Sequence, residues 1–194
     1  MAVREREVTR VDSDSALIRA FQRGSGEAFR ALYERYRRAA FLYALALAGD
    51  EHVAEEAVQE AYLTILRNLR RYDPRGSFRS YLLAAIRCRV IDTERKKAVR
   101  REVTESEAAA GAEVDLFEIP APAVTEDHLG PAVSRALLAL PREQREVIVL
   151  KVYEEMTFRE IALLTGASEN TMASRYRYAC DKLRGLLRGV VTHE

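Results

Sequence analysis

Cationic side chains are concentrated between Arg67 and Arg101, where 12 Lys and Arg residues stand against three Asp and Glu residues. Such a density is typical of a surface that contacts a phosphate backbone. A break in the helical pattern, from Tyr72 to Phe78, contains Asp-Pro and Gly-Ser. Aromatic and guanidinium groups flank it. The first chemistry that these residues indicate is therefore nucleic-acid binding.

A second candidate for DNA binding lies between Thr157 and Arg184, where the pattern predicts a helix-turn-helix. A small residue, Ala162, suits the close crossing of two helices, and Gly166 suits a left-handed turn between them. Ser168 is predicted to cap the second helix. An ordinary helical hairpin with a solvated face is the alternative. Side chains suited to base edges and phosphates follow on the first turns of that helix: Glu169, Asn170, Thr171, Ser174, Arg175 and Arg177.

Acidic residues dominate two other segments, although the whole chain has a net charge of only +1. Five acids lie from Asp50 to Glu60, and no Lys or Arg follows before Arg67. Such a run forms either a binding face or a solvated one. Residues 102–130 hold eight acids and no Lys or Arg, are rich in Ala and Pro, and show no periodicity. This composition predicts a flexible acidic linker.

The chain contains no residue pattern typical of an enzyme. It has neither a glycine-rich phosphate loop nor a Ser/His/Asp arrangement, and adjacent carboxylates such as Glu55 and Glu56 point apart on a helix. Cys88 and Cys180 are far apart and the three histidines are scattered, so we expect neither a metal site nor a cofactor. No apolar run approaches the roughly 20 residues of a membrane span. We therefore expect a cytoplasmic protein without membrane insertion.

The apolar residues recur at three and four positions, which predicts an all-α fold. Four helices are expected in the first part, over residues 14–22, after Gly26 as far as Gly49, over 50–71, and from Ser77 as N-cap into 95–97. Four more are expected in the last part. The first runs from Pro131 to before Pro141, and the second has Pro141 at its first position and runs to Tyr153. The others are 158–164 and 168 to about 189.

Two sets of motifs resemble the extracytoplasmic-function (ECF) sigma factors, which belong to the sigma-70 family of RNA polymerase subunits. The first set resembles their region 2, and the second resembles their region 4. Both occur in the family's order and cover nearly the whole chain. The first set is Ala54-Glu-Glu-Ala-Val-Gln-Glu60, Arg71-Tyr-Asp-Pro-Arg-Gly-Ser-Phe-Arg79 and Val90-Ile-Asp92; the second is Leu140-Pro-Arg-Glu-Gln-Arg-Glu-Val-Ile-Val-Leu150, Thr157-Phe-Arg-Glu-Ile-Ala162 and Thr171-Met-Ala-Ser-Arg175.

The resemblance implies two small helical domains joined by the flexible acidic linker. Residues 1–101 would form sigma region 2, residues 102–130 the linker, and residues 131–194 region 4. The implied function is to bind core RNA polymerase and direct promoter recognition, melting of the −10 element and transcription initiation. The alternative is a helix-turn-helix regulator that binds DNA without core polymerase. The acidic motif of the third helix and the Tyr72–Phe78 loop argue against this alternative.

The resemblance also assigns partners and site residues. The partners are core polymerase (the β′ clamp helices and the β subunit), promoter DNA and a separate anti-sigma factor. The linker resembles a segment that threads toward the polymerase active centre, although a plain tether is the alternative. A core role for Phe78 and Tyr81 competes with base contact, and Ala173 and Tyr178 stand where relatives often carry Lys or Arg. The residues implied for core binding are Glu55, Glu56, Gln59 and Glu60, those for the −10 element are Arg75, Ser77, Arg79 and Arg87, and those for the −35 element are Thr171, Ser174, Arg175 and Arg177.

Overall fold

The computed structural model describes residues 13–73, 77–103 and 131–188. Within these ranges the chain is helical, with no strand, which confirms the predicted all-α fold. None of the described helices is long and apolar enough to cross a membrane. The elements in chain order are α1 (Asp14–Gln22), α2 (Gly26–Ala48), α3 (Glu51–Asn68), a 3₁₀ turn (Leu69–Arg71), α4 (Phe78–Val103), α5 (Pro131–Leu138), α6 (Arg142–Ile148), a π-helical turn (Val149–Tyr153), α7 (Phe158–Thr165) and α8 (Glu169–Leu187).

Helix boundaries in the first part follow the capping residues of the sequence. Ser13, Ser25 and Asp50 each accept a hydrogen bond from the backbone N–H three residues on, which satisfies a donor that the first turn leaves free. Ser77 does the same for α4, since its Oγ accepts from the N–H of Ser80 at 3.2 Å, as predicted. Gly49 ends α2 at φ +69°, a left-handed conformation that glycine adopts without strain.

A bundle of α1 to α4 buries the apolar stripes that the sequence predicted. Helix α2 packs against α1, α3 and α4, and α3 packs against α4. Large side chains fill the centre: Phe41, Tyr43, Tyr62 and Phe78 are each at most 2% exposed. Phe78 also contacts the ring of Tyr36, with centroids 5.5 Å apart. Of the two roles that the sequence left open for Phe78, core packing is the one observed, and this ring is unavailable for base stacking in the described conformation.

Two helix boundaries differ from the sequence-based expectation. The third helix ends at Asn68 and tightens into the 3₁₀ turn instead of running as α-helix to Arg71. Helix α4 continues to Val103, two residues into the segment expected to be linker, because Arg100, Arg101 and Glu102 all favour helix. The remainder of that segment, 104–130, lies outside the described residues. These differences leave the order of elements unchanged.

A third difference concerns Pro141, which is the N-cap of α6 and not its first helical residue. The helix that starts after it was expected to reach Tyr153, but its last five residues form the π-helical turn. At the end of this turn the N–H of Glu154 donates to the carbonyl of Val149 at 3.1 Å. The turn therefore sets where Glu154 lies.

The helix-turn-helix forms as predicted from α7 and α8. A capping box starts α7: Thr157 Oγ1 accepts from the N–H of Glu160 at 3.2 Å, and a carboxylate oxygen of Glu160 accepts from the N–H of Thr157 at 2.7 Å. Gly166 has φ +75°, and its N–H donates to the carbonyl of Ala162 at 2.9 Å. Ser168 caps α8 by accepting from the N–H of Thr171 at 3.1 Å.

The two helical parts of the molecule pack against each other. Helix α2 contacts both α6 and the π-helical turn, and α4 contacts α7. One apolar cluster runs through both parts, since Val147, Leu150, Ile161 and Met172 belong to the same buried set as the core of the α1–α4 bundle. The chain therefore adopts a closed arrangement, which the sequence did not predict.

Candidate nucleic-acid interface

The predicted −10 contacts lie at the start of α4 and along one of its faces. Ser77 is exposed at the N-terminal end of the helix. Arg79 and Arg87 are half-buried and lie eight positions apart, slightly more than two turns, so they share a face. Arg75 lies outside the described residues. The structure therefore brings Arg79 and Arg87 to one side of the helix, with Ser77 at its beginning.

Arg79 makes an ion pair with a residue of the second helical part. Its Nε donates to a carboxylate oxygen of Glu154 at 2.7 Å. The Glu154 side chain is 5% exposed, whereas that of Arg79 is 34% exposed. The carboxylate is thus buried against a guanidinium that still reaches solvent.

Arg87 makes a similar pair with Glu146 of α6, which is supported by a tyrosine of α2. Arg87 Nε and the hydroxyl of Tyr43 both donate to Oε1 of Glu146, at 3.0 and 2.9 Å. Burial raises the pKa of Tyr43 well above its usual value, and the charge of Glu146 and its hydrogen bond raise it further. Tyr43 therefore stays protonated as the donor to this carboxylate.

Arg145 fixes the ends of two helices on the same interface. It is buried and donates from Nε to the carbonyl of Ala46, at the end of α2. Its Nη1 donates to the carbonyl of Leu138, at the end of α5, at 3.1 Å. Burial and neighbouring Arg142 lower the pKa of its guanidinium. The carbonyls at a helix C-terminus carry partial negative charge, so they are suitable acceptors for a cation.

The backbone that leads into the Tyr72–Phe78 loop is fixed by Gln22. Its Nε2 donates to the carbonyls of Leu69 and Tyr72, at 3.1 and 2.8 Å. The ring of Tyr72 stacks on that of Tyr81, with centroids 4.8 Å apart. Both rings are half-buried. The start of the loop is therefore held by α1 and α4 together.

The residues predicted to bind core polymerase lie on α3. Glu56 and Glu60 are exposed, while Glu55 and Gln59 are half-buried. Glu60 makes an ion pair with Arg89 of α4, whose Nη1 lies 3.9 Å from the Glu60 carboxylate. The helix thus presents an acidic surface directly beside the basic helix α4.

The predicted −35 contacts lie on the first three turns of α8. Thr171, Ser174 and Arg175 are half-buried, and Arg177 is exposed. The Thr171 hydroxyl is 2.8 Å from that of Ser168, so it takes part in the cap. Arg175 makes an ion pair with Glu143 of α6 at 3.6 Å. The guanidinium of Arg177 lies over the ring of Tyr178, 5.3 Å from its centroid.

Sequence reasoning missed the residues that join the two helical parts: Glu146, Glu154, Arg145 and Tyr43. For Glu146 a signal existed, because it lies three and four positions before the apolar residues Val149 and Leu150, on the inward face of the helix. A buried carboxylate needs a partner. For Glu154 there was no local signal, since its burial depends on the π-helical turn.

Comparison with known families assigns both parts of the chain. The model of Sigma-70 region 2 matches residues 32–100, and that of Sigma-70, region 4 matches residues 131–183. The ECF RNA polymerase sigma factor SigK of Mycolicibacterium vanbaalenii is 32% identical over 177 residues, which covers 89% of this chain and 88% of that protein. SigW of Bacillus subtilis, also an ECF sigma factor, is 25% identical over 178 residues, covering 88% of this chain and 95% of SigW.

Two solved structures have a similar fold. CnrH, in complex with the cytosolic domain of CnrY, has a TM-score of 0.62 and 24% identity, and the match covers 92% of this chain and 99% of that one. RpoE, in complex with the anti-sigma factor NepR from Bartonella quintana, has a TM-score of 0.64 and 18% identity. This match covers 84% of this chain and 98% of that one. These likenesses confirm the fold.

The fold and the two matched regions define an RNA polymerase sigma subunit. Within that class, the chain belongs to the ECF sigma factors of the sigma-70 family. The family consists of transcription initiation factors, which agrees with the expectation drawn from the two sets of motifs. The region 2 match covers most of α2, all of α3 and most of α4, and the region 4 match covers α5 to most of α8. Below, the α1–α4 bundle is called region 2 and α5 to α8 are called region 4.

Proposed function

We propose that this sigma factor binds core RNA polymerase through α3, captures the non-template strand of the −10 element with α4 and the preceding loop, and reads the −35 element with α8. The observation that carries the proposal is the combination, in one chain, of a basic helix beside an acidic one and a complete helix-turn-helix. A duplex-DNA regulator needs only the last of these. The protein would act in the cytoplasm, where core polymerase and promoters are found.

The acidic surface of α3 supports the core-binding step. Glu56 and Glu60 are exposed, and Glu55 and Gln59 lie next to them on the same stretch of helix. Carboxylates on a rigid helix suit a partner helix with basic residues, because complementary charge steers association and fixes its register. The β′ clamp helices would be that partner, with region 4 contacting the β subunit.

The DNA-binding steps rest on two different kinds of surface. On α4, guanidinium groups lie along one helix face, which suits a flexible unpaired strand and its phosphates. On α8, short polar groups on the first turns suit base edges in the major groove. Thr171, Ser174 and Arg177 would approach the bases, while Arg175, already tied to Glu143, would orient the helix or reach a phosphate.

The decisive experiment is transcription in vitro by core polymerase and the full chain on a library of promoter fragments. We expect the chain to co-purify with core and to initiate from a subset of fragments, whose shared sequence would give both promoter elements. The variant Glu55→Gln/Glu56→Gln should lose core binding. A matched control, Glu27→Gln/Glu34→Gln, removes the same charge from exposed positions of α2 and should retain it.

Failure to bind core, with DNA binding retained, would contradict the proposal and favour a regulator that acts alone. Equal core binding by the α3 and α2 variants would remove α3 from the interface. A separate anti-sigma factor remains a prediction for this chain, supported by the solved complex of similar fold in which RpoE is bound to the anti-sigma factor NepR.

A further inference from the structure

Helix α1 lies before residue 32, where the match to region 2 begins, yet its polar side chains are linked to both described ends of the Tyr72–Phe78 loop. We propose that α1 positions the −10 contacts at the start of α4, with Gln22 holding the entry to the loop and Asp14 holding its exit. Neither residue belongs to the motifs that indicated the function. The proposal rests on the proposed function, because positioning matters only if this part of the chain captures a strand.

The entry to the loop is fixed by the side-chain amide of Gln22, the last residue of α1. Its Nε2 donates to the carbonyl of Leu69, inside the 3₁₀ turn, at 3.1 Å, and to that of Tyr72, just after the turn, at 2.8 Å. A primary amide has two N–H donors, so these two acceptors can engage both. Tyr72 has already left the turn for an extended conformation, with φ −69° and ψ 136°. Gln22 therefore fixes the point at which the chain enters the loop.

The exit from the loop is fixed through an aromatic pair. One carboxylate oxygen of Asp14, at the start of α1, accepts from the hydroxyl of Tyr36, and the other accepts from Arg35 at 2.5 Å. The ring of Tyr36 contacts that of Phe78, the first residue of α4, which is 1% exposed. Because Phe78 is held in this way, the backbone of Arg79, the next residue, is held with it.

The hydroxyl of Tyr36 remains a donor in this network. Burial raises the pKa of Tyr36 above its usual value, and the hydrogen bond to Asp14 raises it further. The charges of Arg35 and Arg79 oppose this rise, which places the hydroxyl within the electrostatic reach of the first turn of α4. The Asp14 end of α1 is thus coupled to one of the arginines proposed to bind the −10 strand.

Helix α1 can hold both ends of the loop because it is itself anchored. Leu17 and Ile18 are buried, and α1 packs against α2. Nine residues of helix span about 13 Å, so one rigid element sets the distance between the two contacts. The stacked rings of Tyr72 and Tyr81 add a link from the entry to α4. A site whose ends are fixed in advance loses less conformational entropy when it binds, so more of the molecules are competent to capture a strand.

The test compares four forms of the full chain: wild type, Gln22→Met, Tyr36→Phe and Ile18→Val. Methionine is unbranched like glutamine but offers no donor to the two carbonyls. Phenylalanine keeps a ring beside Phe78 and loses the donor to Asp14. Ile18→Val is the matched control, because it removes a methyl group from the buried face of the same helix and lowers stability without removing either contact.

Two measurements separate positioning from a general loss of stability. Hydrogen–deuterium exchange of the free chain, followed by mass spectrometry, compares residues 69–73 with the rest of region 2. With core polymerase and a promoter fragment from the library, the rate of open-complex formation is measured separately from the affinity of the closed complex and from the affinity for core. Far-UV circular dichroism establishes that each variant is folded.

We expect Gln22→Met to exchange about threefold faster or more at residues 69–73, and to form open complexes about threefold to tenfold more slowly, because the competent fraction falls. Its affinities for core and for the closed complex should stay within about twofold of wild type, since those steps use α3 and α8 and not this loop. Tyr36→Phe should slow opening less, because its ring still packs on Phe78. Ile18→Val should open promoters at the wild-type rate.

Three results would overturn the positioning role while leaving the function intact. In the first, Gln22→Met exchanges faster at residues 69–73 but opens promoters as fast as wild type, so its hydrogen bonds are only structural. In the second, exchange at residues 69–73 is unchanged, so Gln22 does not fix the entry. In the third, Ile18→Val slows opening as much as Gln22→Met does, so lost stability explains both.

A different result would contradict the function itself. If the wild type neither binds core nor opens any promoter of the library, the proposed sigma activity is wrong, and the positioning role falls with it, whatever the exchange at residues 69–73 shows. The behaviour of the wild type therefore distinguishes this failure from a failure of positioning alone.

Discussion

Individual arginines of region 4 differ in what they contact, and this difference separates structural from DNA-binding candidates. Arg145 is buried among helix ends, and Arg175 is paired with Glu143. Arg177 instead lies at the surface, over the exposed ring of Tyr178. A guanidinium held on an aromatic ring keeps its donors in a defined plane, which suits recognition of a base edge. Arg177 is thus the strongest candidate for direct contact with the −35 element.

At this scale we predict that Arg177→Ala weakens binding to the −35 duplex by about 1–3 kcal/mol, because a base-contacting arginine is lost. The measurement is fluorescence anisotropy on the duplex recovered from the promoter library. Arg184→Ala serves as control, since Arg184 is on the same helix but pairs with Asp181 at 2.8 Å, beyond the first turns. Equal affinities of the two variants would exclude Arg177 from the contact set.

Two short turns, the π-helical turn after α6 and the Gly166 turn after α7, determine the positions of the residues that follow them. The π-helical turn after α6 carries the chain to Glu154, and the Gly166 turn fixes how α8 leaves α7. In both, a local departure from regular helix places a side chain or a whole helix. Departures of this kind are frequent at functional sites, because they aim groups that a regular helix would leave elsewhere.

For the turn between α7 and α8, we predict that Gly166→Ala lowers the free energy of unfolding by about 1–2 kcal/mol. The cause is backbone strain at φ +75° alone, because a Cβ there meets nothing within 4 Å. Gly185→Ala, inside α8 and equally free of contacts, should instead raise stability by about 0.5–1 kcal/mol. Urea unfolding followed by far-UV circular dichroism measures both. A stabilised Gly166→Ala protein would contradict the left-handed turn.

For the molecule as a whole, the closed arrangement links regions that the sequence shows as separate. Apolar packing of α2 with α6, the ion pairs along α4 and the buried guanidinium of Arg145 all act across one interface. Because these contacts are shared, we expect the stability of region 4 to depend on region 2.

We predict that Arg145→Met lowers the free energy of unfolding by about 1–3 kcal/mol, because the carbonyls of Ala46 and Leu138 lose their donor. The variant should also expand, as measured by small-angle X-ray scattering, since one of its broken bonds joins region 4 to region 2. Arg159→Met, at an exposed position of α7, is the control. Loss of stability without expansion would show that Arg145 acts only within region 4.

The sequence determined the elements and the family of this protein. Helix caps, glycine turns and apolar periodicity are local properties, so α1, α2, the start of α4 and the helix-turn-helix could be predicted directly. The motif sets then identified the two sigma regions, because residues such as Glu55 and Arg79 stand at matching positions in the motifs of the ECF sigma factors. The sequence could not decide between base contact and core packing for Phe78 and Tyr81, because both roles require an aromatic side chain.

The tertiary structure alone decided which charges meet. Arg79 and Glu154 are 75 positions apart, and Arg87 and Glu146 are 59 apart. No local pattern pairs residues at such separations, because the pairing depends on how two folded parts dock and on a π-helical turn that propensity does not foresee. The sequence indicates that α4 is a basic helix available to DNA. In the folded chain, its residues Arg79 and Arg87 are instead paired with the carboxylates of Glu154 and Glu146.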